Sequence, residues 1–260
     1  GTNVGGNNND YISTVEETSD GGYIAGGYFS SITIQVGDNK LTSKGSTDGL
    51  LVKYSREGKV EWATNVGGSG IDYIKSVAET RDGGYIAGGY FSGTIKVGDN
   101  KLTSQNQASM IIKYNSEGEV EWAKQVTEEA SVDSIKSTTD GGFIVIDSST
   151  NMIESSSNII KYSSEGEVEW ATSVRGSGYD YIKSVEETSD GGYIAGGYFY
   201  GNIQVGDITL ESIDGNDDGM VIKYSSEGEV EWATSVGGSS SDYIYSVAGT
   251  SDGGYIAGGY

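Results

Sequence analysis

The sequence predicts an all-β fold assembled from tandem copies of one four-stranded antiparallel unit, about five copies in all. Two recurrences carry that expectation. Asp-Gly-Gly returns at Asp20, Asp82, Asp140, Asp190 and Asp252, at steps of 62, 58, 50 and 62 residues. Glu-Trp-Ala returns with Trp62, Trp122, Trp170 and Trp232. A third observation is that no stretch holds a helical period, and short apolar runs are bounded by Gly-rich turns. The units fall at about 7–68, 69–126, 127–176, 177–238 and a partial 239–260.

Each element of the unit has its own signal. The first strand is typified by Tyr73-Ile74-Lys75-Ser76-Val77-Ala78. Arg81-Asp82-Gly83-Gly84 then makes a tight hairpin turn, because Asp-Gly and Gly-Gly accept positive φ. The second strand, Tyr85 to Phe91, carries a Gly pair that allows close backbone approach where units crowd together. A variable insert follows. The third strand, Met110 to Tyr114, and the fourth, Glu119 to Ala123, are joined by Ser116-Glu117-Gly118. A three-residue hairpin there sets Tyr114 opposite Val120, Lys113 opposite Glu121 and Ile112 opposite Trp122. The other hairpins repeat the pattern, so Lys53, Lys161 and Lys223 are expected beside Glu61, Glu169 and Glu231. Up-and-down hairpins with a Trp on the outer strand suit a β-propeller, one unit per blade, better than a β-solenoid. The expected architecture is an open slice of a larger ring, four complete blades and a partial fifth, with unpartnered terminal blades.

These residues carry a family resemblance. Asp48-Gly49-Leu50-Leu51-Val52-Lys53-Tyr54, Gly58 to Trp62, Gly67-Gly68-Ser69-Gly70-Ile71-Asp72-Tyr73 and Asp82 to Gly88 together resemble the bacterial seven-bladed β-propeller repeat family, along nearly the whole chain. The resemblance implies a secreted or cell-surface setting and says little about activity. The third unit departs from the pattern, with Ala130 where the loop Asp would stand and Phe143 to Asp147 in place of Tyr-Ile-Ala-Gly-Gly.

Composition removes several classes of function. The chain of 260 residues has 42 Gly and 19 Tyr but no Cys, His or Pro. Without Cys there are no disulfides, Cys-ligated metals or thiol catalysis, and without His there is no Ser-His-Asp arrangement. A net charge of −22 repels phosphate backbones and anionic headgroups, so neither nucleic acid nor a membrane surface is an expected partner. No apolar run is long enough to insert in a membrane. The Gly-rich loops lack the Lys and following helix of a phosphate cradle.

The residues that remain for chemistry are few. The recurrent Asp10, Asp72, Asp180 and Asp242 precede first strands and read as caps of their own loops; a ring of carboxylates holding a cation is the alternative. Asp214-Gly215-Asn216-Asp217-Asp218-Gly219 resembles the start of a calcium loop, with Asp214, Asn216 and Asp218 as ligands, although Ile222 and Ser225 stand where later ligands belong. Recurrent Trp and Tyr read as packing between units rather than sugar platforms. Recognition is expected in the inserts, at Ser30–Thr47, Ser92–Ser109, Ser148–Asn158 and Tyr200–Asp217, foremost at Tyr200, Asp214 and Asp217. The expected function is a non-catalytic module for protein or glycan interaction, with no cofactor beyond the calcium candidate. A carboxylate-dependent, glycosidase-like hydrolase and a purely structural spacer are the alternatives.

Overall fold

The computed structural model describes residues 4–149, 156–176 and 178–260. The chain divides into two compact units, Gly1–Ser137 and Thr138–Tyr260. Every regular element among the described residues is a strand.

The first unit runs β1 (Val4–Gly5), β2 (Asp10–Glu17), β3 (Tyr23–Phe29), β4 (Thr33–Val36), β5 (Asn39–Thr42), β6 (Asp48–Tyr54) and β7 (Val60–Val66). It continues through β8 (Tyr73–Glu79), β9 (Tyr85–Val97), β10 (Asn100–Tyr114), β11 (Val120–Glu128) and β12 (Ala130–Ser137). Two four-stranded antiparallel sheets form here, β2-β3-β6-β7 and β8-β9-β10-β11. The second unit runs β13 (Phe143–Ser149), β14 (Ser157–Tyr162), β15 (Val168–Gly176), β16 (Tyr181–Glu187), β17 (Tyr193–Tyr200) and β18 (Asn202–Val205). It ends with β19 (Ile208–Glu211), β20 (Asp217–Tyr224), β21 (Val230–Val236), β22 (Ile244–Gly249) and β23 (Tyr255–Gly259). Its four-stranded sheet is β16-β17-β20-β21, and β22-β23 repeats the first two strands. The chain is thus all-β, with several four-stranded antiparallel sheets that resemble propeller blades. In each, the first strand forms one edge and the Trp-bearing strand the other.

The Gly pair of the second strand has two separate duties. A Cβ on Gly89 would stand 1.9 Å from the Tyr73 carbonyl oxygen of its own sheet, so the first strand's bulge at Lys75 closes onto it. A Cβ on Gly88 would stand 2.4 Å from Val132 of β12. One glycine therefore seats the neighbour within the sheet, and the other seats the apolar face of the next repeat. In the first unit, Ile24 and Leu51 of one sheet share a core with Ile74, Val77, Met110 and Ile112 of the next. Each such side chain contributes roughly 1.5–3 kcal/mol on burial.

Two expectations are corrected. In the last hairpin Tyr114 faces Val120 as expected, but Lys113 faces Trp122 and Ile112 faces Ala123. A β-bulge sets both Glu121 and Trp122 against Lys113, and the same shift recurs at Lys53, Lys161 and Lys223. The inserts, read as variable loops, are mostly regular structure. Ile34-Gln35-Val36 and Ile203-Gln204-Val205 open the hairpins β4-β5 and β18-β19, and in the second sheet β9 and β10 run on as one long hairpin through Ile95-Lys96-Val97. The alternating Ile and Val are buried, from 0 to 5% exposed. Their backbones pair with the tail of the preceding fourth strand: Gly5 with Gln35, Gly68 with Ile95, Gly176 with Ile203. The first, second and fourth inserts are clasps between successive repeats. Residues 150–155 of the third insert lie outside the described residues.

Candidate binding surface

Most carboxylates that could have done chemistry are committed to the scaffold. Lys113 is 3% exposed, and its ammonium lies 2.9 Å from Asp82 and 3.3 Å from Glu121. Lys53 bridges Asp20 and Glu61 at 2.8 and 3.2 Å, Lys161 bridges Asp140 and Glu169 at 2.8 Å each, and Lys223 bridges Asp190 and Glu231 at 3.2 and 3.4 Å. The Lys–Glu half of each triad was expected. The Asp half was not, because the separation of Asp and Lys along the chain changes with the insert between them, from 33 residues at Asp20–Lys53 to 31 at Asp82–Lys113. Burial raises the Asp82 carboxyl, but hydrogen bonds from Thr80, the Gly84 amide and Lys113 outweigh it and hold it down at about 2. Asp190 is likewise lowered to about 2, first by Thr188 and then by the Gly192 amide.

The loop aspartates turn back on their own loops, as read from the sequence. Asp72 accepts the amides of Gly68 at 2.8 Å and Ser92 at 3.1 Å, and Asp10 accepts Gly6 at 2.6 Å and the Ser31 hydroxyl at 2.9 Å. Asp242 accepts Gly238 at 2.8 Å. Burial pushes the Asp72 and Asp180 carboxyls up to about 6, against the amide hydrogen bonds that lower them.

The aromatic residues divide between latch and ribbon. Trp62 donates its indole N–H to the Ser116 carbonyl of the next hairpin at 3.0 Å, and Trp170 does the same to Ser226 at 2.9 Å. These are packing contacts between repeats. The tyrosines of the first and second strands form ribbons, Tyr11–Tyr28–Tyr73–Tyr90 in the first unit and Tyr181–Tyr198–Tyr243 in the second, with ring centroids 3.9–5.5 Å apart.

At the rim of the second unit the candidates Tyr200 and Asp217 stand opposite each other across β17 and β20. Tyr200 is 42% exposed, with its ring against Gly178 and its hydroxyl toward Gly215. Asp217 accepts the Tyr243 hydroxyl at 2.8 Å. Asn216 donates to the Ser239 carbonyl at 3.1 Å, and Asp214 is exposed at φ 54°. Asp218, fully buried, is turned inward: one carboxylate oxygen accepts the Ile213 amide at 3.1 Å, while the other has no hydrogen-bond partner. The equivalent Asp48 is served by Ser43, Lys44 and, at 2.6 Å, Asn65; Ser235 replaces that Asn beside Asp218. Among the described residues no group of three or more carboxylate, His or Cys side chains gathers at metal-binding spacing.

A cleft that sequence reasoning missed lies in the first unit, lined by Thr103, Gln105, Asn106, Glu128 and Glu129. It opens where the β9-β10 register shifts between Thr103 and Gln107. Glu128 accepts hydrogen bonds from Ser104 and from Gln125 at 2.7 Å, Glu129 accepts Asn106 at 3.2 Å, and Glu129 holds φ at 53°. The available signal was that this adjacent Glu pair belongs to the divergent third unit.

No family model matches the sequence. No curated protein matches it either. Among solved structures, a protein of unknown function from Bacteroides caccae aligns at 12% identity over 87% of this chain and 82% of its own, with a TM-score of 0.42. Sqt1 from Chaetomium thermophilum aligns at 10% identity over 92% of this chain and 75% of its own, with a TM-score of 0.36. The class that the sheets themselves define is an all-β array of propeller-blade-like repeats.

Proposed function

We propose that the chain is a non-catalytic interaction module of the secreted or cell-surface kind, binding a glycan or protein ligand through the rim at Tyr200. The observation that carries this reading is the half-exposed Tyr200 ring beside Asp217, Asn216 and the Tyr243 hydroxyl. An apolar ring face flanked by hydrogen-bonding groups suits a polyhydroxylated ligand, with stacking for the sugar's C–H face and directed bonds for its hydroxyls. The triad and loop carboxylates are hydrogen-bonded within the fold, which supports binding over hydrolysis. The setting follows from the resemblance to the bacterial seven-bladed repeat family, which blade-like sheets accord with.

The test is binding on a glycan array and to surface extracts, followed by Tyr200→Ala and Asp217→Asn. Each substitution is expected to weaken binding at least tenfold with unchanged thermal unfolding. Unchanged affinity in both would overturn the assignment to this rim, and no binding by the wild type would leave the spacer reading. Calorimetric titration with calcium, on wild type and Asp218→Asn, tests Asp214, Asn216 and Asp218 as ligands: heat lost in the variant supports them, and no heat in wild type removes them.

A second reading, a carboxylate-dependent hydrolase, is favoured by the adjacent Glu128 and Glu129 in their cleft. Glycosidase activity abolished by Glu128→Gln and Glu129→Gln would support it, and activity insensitive to both would remove it.

A further inference from the structure

The ring contacts along the tyrosine ribbon of the first unit are unequal. Tyr28 of β3 and Tyr73 of β8 meet edge to face, with ring centroids 3.9 Å apart and planes at 78°. Aromatic pairs ordinarily stand roughly 4.5–7 Å apart. The neighbouring contacts, Tyr11–Tyr28 and Tyr73–Tyr90, are wider, at 5.1 and 4.8 Å. Those two pairs are cross-strand partners within one sheet, whereas Tyr28–Tyr73 joins two successive sheets.

The packing beneath the rings imposes this approach. Ile74, the neighbour of Tyr73, is fully buried, and an added Cβ would stand 2.7 Å from it on Gly26 and 3.1 Å from it on Gly49. Gly49 is the cross-strand partner of Tyr28. The two backbones are thus held at the separation that brings the rings together. Both tyrosines stay only half-buried.

Charge sets the pair apart from the other ribbon tyrosines. The Lys75 ammonium lies 5.6 Å over the Tyr90 ring, and Asp133 holds it at 2.7 Å. In the second unit Lys183 lies over both Tyr181 and Tyr198, at 4.4 and 5.3 Å. A cation over a ring face is attracted to the electron-rich ring, so removing an electron from that ring becomes harder. The repeat reads Tyr73-Ile74-Lys75 and Tyr181-Ile182-Lys183, but Tyr11-Ile12-Ser13 in the first sheet. An exposed serine therefore stands beside Tyr28's sheet where the lysine would be. The chain also has no Cys whose thiol would take up an oxidising equivalent first.

We propose that Tyr28 and Tyr73 form a cross-linking site, joined ring to ring when the chain meets a one-electron oxidant such as the oxidised haem of a peroxidase. Each phenol gives one electron to the oxidant and one proton to water. The two phenoxyl radicals couple through the ring carbons ortho to their oxygens. The hydrogens on those carbons then move to the oxygens as the rings regain aromaticity. The product is a biphenol lighter by two hydrogens, and two equivalents of oxidant are reduced by one electron each. The new bond ties successive repeats together as a disulfide would, in a chain that has no thiols to form one.

Brief illumination of the dilute chain with tris(bipyridine)ruthenium(II) and persulfate tests this, since it generates ruthenium(III), a small one-electron oxidant. Trypsin then separates the two tyrosines into peptides 1–40 and 60–75. In the monomer fraction these peptides are expected joined and lighter by two hydrogens, with fragmentation placing the bond at Tyr28 and Tyr73. The linked monomer is expected to unfold several degrees higher than the untreated chain. Tyr28→Phe and Tyr73→Phe are each expected to abolish the linked peptide. Ser13→Lys, which supplies the cation that the other repeats carry, is expected to lower its yield severalfold, and all three variants to keep the circular dichroism spectrum of wild type. A wild-type monomer without this link overturns the proposal, as does a link that persists in Tyr28→Phe or Tyr73→Phe, or cross-links that form only between chains. An equal yield in Ser13→Lys overturns the selection by charge and leaves contact alone to direct the coupling.

Discussion

At the residue scale, the buried lysines decide how this scaffold answers to acid. Lys113 lies between two carboxylates that are half in water, so its removal costs less than breaking a fully buried pair. Lys113→Met is expected to lower stability by roughly 1–3 kcal/mol at neutral pH, measured by denaturant unfolding. Asp82 is depressed from 3.8 to about 2 in the fold, so its contribution is present above 3.8 and lost as pH falls toward 2. The gap between wild type and variant should therefore narrow below pH 3.8. Asp72 has the opposite sign. Its folded value is raised to about 6, so its protonated form favours the fold below 3.8, and that contribution is lost as pH rises through 6. Asp72→Asn should flatten the dependence of Tm on pH between those limits relative to wild type; an identical profile in both proteins would refute the assignment. The Lys–Glu pairs were legible from cross-strand arithmetic. The Asp of each triad was not drawn in, because it lies across the sheet in another turn and no local spacing links it to the lysine.

At the element scale, the hairpin loop is where one repeat grips the next. Gly118 and Gly58 occupy equivalent turns at φ 80° and 74°, so both resist a side chain for the same backbone reason. They differ in surroundings. A Cβ on Gly118 would stand 2.6 Å from the Trp62 ring, whereas nothing lies within 4 Å of one on Gly58. Gly58→Ala should cost about 1 kcal/mol, the conformational term alone. Gly118→Ala should cost about 1–3 kcal/mol more, because the indole must move and its hydrogen bond to Ser116 is disturbed. Equal losses in the two unfolding curves would show that the Trp latch contributes nothing. The strands and the Asp-Gly-Gly turns were readable because a period of two and a positive-φ glycine are local signals. The insert hairpins were missed although Ile34-Gln35-Val36-Gly37 and Ile203-Gln204-Val205-Gly206 repeat in the sequence. They lie between unlike flanks, and the partner of each is a strand tail one repeat earlier. The bulge beside Lys113 was missed because a three-residue loop fixes only the first cross-strand pair.

At the scale of the whole molecule, the repeat makes local stability uneven, since each repeat depends on the faces its neighbours cover. That dependence was legible in the period alone. The identity of any ligand was not, because Tyr200, Asn216 and Tyr243 come together only through cross-strand pairing and the turn before β22. The central sheet β8-β9-β10-β11 has both faces engaged, with Tyr114, Ile111 and Ile112 fully buried. In β23 every residue is exposed, although its sequence nearly repeats that of β17. The difference between them is therefore one of neighbours, not of intrinsic propensity, and β17 serves as an internal control. Amide hydrogen exchange in dilute solution should show Tyr255–Gly259 exchanging through local opening, orders of magnitude faster than Tyr193–Tyr200. Ile194 and Gly196, covered by Ile244 and Val247, should be among the slowest of that strand. Ile256 and Gly258 occupy the same two places with nothing over them, and should be fast. Equal protection in the two strands would mean that hydrogen bonding within a sheet, rather than cover by the next repeat, sets local stability.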